Sequence, residues 1–140
     1  MLSYRNLLAL GVLVYCIQAN PTSIKIDIHC DEPSVTNWCA YMELYEEDTP
    51  HNHDDITTAF WCTTEHQKSL DYPKMNLGWD GSLDYEIGYQ LTHTCTKDGK
   101  HKCMKSEIQT VWEYSEGSVS FNNTIYDIGY DGKCKDINAY

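Results

Sequence analysis

The chain has 140 residues and a formal charge of −11, set by 21 acidic side chains against ten Lys and Arg. That length fits a single domain with one hydrophobic core. The acidity excludes a phosphate-tracking nucleic-acid binder, and 41% apolar residues exclude a disordered chain.

Arg5 precedes an apolar run from Leu7 to Ile17, followed by the small residue Ala19. This pattern is expected to be a secretory signal peptide over residues 1–19, cut before Asn20. The run is short for a retained membrane anchor, and no other stretch is long enough to span. The domain expected after cleavage is 20–140, with nine Lys, no Arg and a charge of −12. Removing Cys16 leaves Cys30, Cys39, Cys62, Cys95, Cys103 and Cys134. An even count in a short secreted chain points to disulfides, whereas the absence of a C-x-x-C pair argues against zinc.

The mature chain reads with a period of two. Ile24, Ile26, Ile28 and Cys30 alternate with Lys25, Asp27 and His29, as in a half-buried strand. Asp31 to Ser34 breaks it. Ala40, Met42 and Leu44 then oppose Tyr41, Glu43 and Tyr45. Glu46 to Asp55 is expected to be an acidic loop, and Ile56 to Trp61 a short strand. Residues 63–82, with Pro73, Gly78 and Gly81, are expected to be mostly loop, with at most one short strand or helical turn. Tyr85, Ile87, Tyr89, Leu91, His93 and Cys95 give another clean alternation. Met104, Ile108 and Trp112 mark a further strand. Val119 and Phe121, then Ile125 to Tyr130, mark a final hairpin interrupted at Asn122-Asn123. Short strands divided by turns imply an all-β, antiparallel sandwich.

Four pieces occur in order: Cys30-Asp31-Glu32-Pro33, the strand Tyr41 to Asp48, Ile87 to Cys95 with its His93-Thr94-Cys95 end and Cys103 beyond, and Tyr126-Asp127-Ile128-Gly129. Together they resemble the transthyretin-like family of nematode secreted proteins. The resemblance implies a Greek-key β-sandwich and an extracellular adaptor or signalling role, with no settled activity. Cys39 and Cys62 stand outside the family's common pattern, so they are expected to pair with each other. Cys95 would then pair with Cys103, and Cys30 with Cys134.

No enzyme motif is present, and the hydroxyisourate hydrolases related to transthyretin use Arg residues, absent from the expected mature chain, and a C-terminal Tyr-Arg-Gly-Ser where this chain reads Lys135-Asp136-Ile137-Asn138-Ala139-Tyr140. The expectation is therefore a non-enzymatic secreted module without cofactor. It would recognise an extracellular protein, such as a cell-surface receptor, through loops. The candidate surface is Glu46, Glu47, Asp48, Asp54 and Asp55, suited to a basic partner. The alternative is a carrier of a small apolar ligand, a lipid or hormone, in an inter-sheet or inter-subunit cavity. His51 and His53 are weak metal-ligand candidates, more simply part of a solvated acidic turn. His93 falls on an apolar face and is expected to be a core histidine with a hydrogen-bond partner. Asn122-Asn123-Thr124 is a sequon, making Asn122 a glycosylation candidate.

Overall fold

The computed structural model describes residues 21–48, 52–78, 82–112 and 115–135. The expected signal peptide and His51 lie outside them. The described residues form nine strands: β1 (Thr22–Cys30), β2 (Trp38–Asp48), β3 (Asn52–Thr63), β4 (Gln67–Met75), β5 (Asp84–His93), β6 (Lys102–Lys105), β7 (Gln109–Trp112), β8 (Gly117–Ile125) and β9 (Tyr130–Asp131). They make an all-β sandwich of two sheets. The smaller has the order β4-β1-β8. The larger has the order β3-β2-β5-β6-β9, with β7 also on β5.

The alternation read in β1 is real: Ile24, Ile26 and Ile28 are fully buried. Each such side chain contributes about 2 kcal/mol by leaving water. They face Met42, Leu44, Ile87, Tyr89 and Leu91 of the larger sheet within one core. Tyr89 and Phe121 meet edge to face, with centroids 5.2 Å apart. Trp38 and Trp61 do the same at 6.0 Å, and the Trp38 indole N–H donates to the Glu65 carbonyl at 2.8 Å. That hydrogen bond satisfies the one polar atom Trp38 carries inside.

Six expectations need correction. The strand expected over Met104 to Trp112 is two, β6 and β7, and the expected final hairpin is not formed, since β8 pairs with β1 and β9 with β6 in the other sheet. The sandwich is not wholly antiparallel, because β1 and β8 pair in parallel from Thr22↔Gly117 to Cys30↔Ile125. The segment 63–82 holds the nine-residue strand β4. β4 lies at a sheet edge, where Pro73 removes no ladder bond, and its register slips opposite Thr22/Ile24, beside Lys74 at φ 58°. β8 runs unbroken through Asn122-Asn123, because Asn123 turns inward and donates to the Tyr89 hydroxyl. The acidic stretch 46–55 is no loop at its ends. β2 continues to Asp48 and β3 begins at Asn52, with Glu46 opposite Asp54 and Glu47 opposite His53. A bulge hid the strands as much as charge did: Ile56 is an extra residue between Leu44↔Thr57 and Tyr45↔Asp55, and Leu44, Tyr45 and Glu46 are buried in succession.

Three disulfides brace the fold. Cys39–Cys62 is present as expected, whereas the other bonds are Cys30–Cys95 and Cys103–Cys134. Pleat decides this. Cys30 and Cys95 both face the core and tie one sheet to the other. Cys103 stands opposite Thr92, on the outer face of the larger sheet, so it points away from Cys95.

Candidate binding site

Cross-strand register places the side chains on the outer face of the larger sheet. Cys62 stands opposite Cys39, Phe60 opposite Tyr41, and Thr58 opposite Glu43. The rows continue onto β5 and β6 as Tyr41–Thr92–Cys103 and Glu43–Gln90–Lys105. A half-exposed sheet face would leave Thr92 and Gln90 in water, yet Gln90 is only 2% exposed. The C-terminal segment covers them. Cys134 is tied to Cys103, and its N–H donates to Thr92 Oγ1 at 2.9 Å. Gln90 Nε2 donates to the Lys135 carbonyl at 2.8 Å and also to the Glu43 carboxylate.

At Lys133 and Cys134 this strap passes beside the aromatic pair, with a groove of about 370 Å³ between them. One wall is Tyr41 and Phe60, and the other is His101, Lys133 and Cys134, with Ala40 and Thr92 also lining it. Phe60 is 70% exposed and Tyr41 41%. Burial, helped by the Glu43 carboxylate, raises the Tyr41 phenol above its ordinary range, so the ring stays neutral. A rigid, neutral aromatic pair open to water is what a recognition surface presents.

The other end of the same face is closed. Tyr45 lies across Gly88, with its ring 5.2 Å from that of His53. A Cβ on Gly88 would meet Ile108 Cδ1 at 2.5 Å and the Tyr45 ring at 3.2 Å, so glycine permits the close approach. Burial pushes the Tyr45 hydroxyl up to about 12, with the Glu47 carboxylate adding to it.

Charge is unevenly distributed. Six of the nine Lys fall within 97–135: Lys97, Lys100, Lys102, Lys105, Lys133 and Lys135. Lys97 sits over the Tyr126 ring at 5.6 Å, Lys100 pairs with Asp98 at 2.7 Å, and Lys102 donates to the Asp127 carbonyl at 2.8 Å. Lys133 lines the groove. Glu46, Glu47 and Asp48 of the β2–β3 hairpin lie further along β2, roughly 17–24 Å from Tyr41 at strand rise, whereas Asp55 is near enough to act on the Tyr41 phenol. The protein is thus acidic overall, with Lys133 among the groove's lining residues and the Glu43 carboxylate beside Tyr41.

The expected acidic surface is only partly assembled. Glu46 is 3% exposed and cannot belong to it; Glu47 is half-buried, whereas Asp54 and Asp55 are exposed. Asp48 closes β2 opposite Asn52. His53 packs against Tyr45. Among the described residues, no three His, Cys, Asp or Glu side chains are grouped to hold a metal. His93 is fully buried, and its Nε2–H donates to the Ile128 carbonyl. Asn122 is exposed on β8. The sequence reading missed Tyr41, Phe60, His101 and Lys133 as a group. One signal for half of it was available: pairing Cys39 with Cys62 in an antiparallel hairpin sets Tyr41 opposite Phe60 two residues further on.

A family model described as Caenorhabditis elegans protein of unknown function (DUF870) matches residues 25–137. This overturns the resemblance to the transthyretin-like family. The pieces that carried it are strand alternation and cysteines near strand ends, which any disulfide-braced sandwich can share. No curated protein and no solved structure matches the chain.

Proposed function

We propose that this chain, which belongs to the DUF870 family of Caenorhabditis elegans proteins of unknown function, is a secreted, non-enzymatic recognition module that binds an extracellular protein through the groove on its larger sheet. Three disulfides fit an oxidising environment, which supports secretion. The observation that carries the reading is the exposed pair Tyr41 and Phe60 beside a strap pinned by its own disulfide. Aromatic anchors on a rigid sheet supply contact area at small entropic cost. Lys133 in the groove favours a partner whose apolar anchor carries a carboxylate, and the acidic hairpin tip orients that encounter. This moves recognition from the hairpin loop to the sheet face.

The test is a pull-down from extracellular fluid with the native chain and with Phe60→Ala and Tyr41→Ala. Partners that bind the native chain and are lost from both variants support the reading. An identical captured set sinks it. A carrier of a small apolar ligand is the second reading, favoured by the groove's volume, which falls within the usual range for ligand sites. Native mass spectrometry of source-purified protein separates the two, because a carrier retains one ligand per chain.

A further inference from the structure

The three disulfides differ in what else holds their surroundings. Cys30–Cys95 is sealed in the core between the sheets. Cys103 is fully buried beneath the strap that Cys134 anchors. Cys39–Cys62 joins directly opposed residues of one hairpin, with Cα atoms 4.0 Å apart, and Cys62 is the one exposed cysteine among the six. The hairpin does not need this bond, since β2 and β3 keep one register from Trp38↔Thr63 to Leu44↔Thr57 and pair on beyond a bulge to Asp48↔Asn52. The backbone at Cys39 is also fixed from the other side. Its N–H donates to Thr94 Oγ1 at 2.9 Å, and its carbonyl accepts from the Thr94 N–H at 3.0 Å. Cleaving the bond therefore leaves both sulfurs on an ordered sheet.

We propose that Cys39–Cys62 is a thiol–disulfide exchange site, reduced by an extracellular dithiol while the other two bonds persist. The reductant's thiolate attacks the Sγ of Cys62, the exposed residue of the pair, the bond to Cys39 breaks, and Cys39 leaves as a thiolate that takes a proton from water. The second thiol of the reductant then attacks its own sulfur in the mixed disulfide and releases Cys62. The protein gains two electrons and two protons, and the dithiol becomes a disulfide. Cys39 also lines the groove that holds Lys133 and His101. The Lys133 ammonium favours a departing thiolate there, and exposed disulfides are the exchangeable ones. The product is a pair of thiols, Cys39 in the groove lining and Cys62 opposite it, one row from Tyr41 and Phe60.

The test uses the native chain, limiting dithiothreitol and N-ethylmaleimide, followed by peptide mapping. Cys39 and Cys62 should be labelled first, at least about tenfold faster than the other four, with β2 and β3 amides still protected from hydrogen exchange. Simultaneous labelling of all six, or first labelling at Cys103 and Cys134, overturns the proposal. The Cys39→Ala/Cys62→Ala double variant should retain the same amide protection. Failure of that variant to fold would overturn the independence of the hairpin on which the proposal rests. Labelling reads the bond itself, so the result stands apart from whatever the groove binds.

Discussion

His93 and Ile128 are joined across 35 residues by a 3.1 Å hydrogen bond from the imidazole Nε2–H to the backbone carbonyl, inside the protein. This bond holds the turn between β8 and β9 against β5. Burial lowers the His93 pKa below 6.5, with Lys102 acting the same way, while the Ile128 carbonyl and Asp127 oppose the shift. The unfolded chain therefore takes up this proton before the native one does. Stability from His93 is complete above pH 6.5 and declines as pH falls below it. His93→Gln should flatten this slope. Urea midpoints at neutral pH and at about pH 5 check it, because carboxylates such as Asp27, held lower by Ser69 and Lys25, titrate below that window.

Gly129 occupies the same turn at φ 99°, and a Cβ there would lie 2.1 Å from the Cys103 carbonyl oxygen. Backbone cannot swing aside as a side chain can. Gly129→Ala should cost about 2–3 kcal/mol, from the left-handed conformation and the clash together. Thermal unfolding measures it, and a loss under half a kilocalorie would show that the turn relaxes freely.

Asp54 stands directly opposite Glu46 in the hairpin. Like charges in that relation are unfavourable. Asp54→Lys should therefore stabilise the protein by roughly 0.5 kcal/mol, an effect that shrinks as salt rises. Denaturation at two ionic strengths tests both parts.

Asn122 points outward from β8 while its neighbour Asn123 faces in. Glycosylation there is a proposal with a simple readout. Protein secreted from a eukaryotic host should lose mass on glycosidase treatment, and Asn122→Gln should abolish that loss with the fold unchanged. The same material should begin at Asn20.

How much of this was legible depends on what decides each element. β1 and β5 were plain, because Ile24, Ile26 and Ile28, and then Ile87, Tyr89 and Leu91, bury one face and the period shows it. β4 was not, since Leu70 and Tyr72 face inward between Asp71 and Pro73 on an edge whose outer side is polar. The disulfides were legible in part. Cys30 shares the parity of Ile28, and Cys95 that of His93, so both point inward; Cys103 required the β5–β6 register. The groove was not legible as a whole, because the strap that bounds it crosses Thr92 and Gln90 from over forty residues away.

The parallel union of β1 with β8 sets the order of assembly during synthesis. The strand made first waits for the last long strand to be made, and until then the Ile24, Ile26 and Ile28 row has an open flank. The β2–β3 hairpin, local in sequence, forms early; the smaller sheet closes only when about five-sixths of the chain has emerged, so folding is slow by topology. A chain interrupted before Gly117 presents β1 as a bare, apolar template for its neighbours, and truncation products should aggregate rather than persist as smaller folded forms.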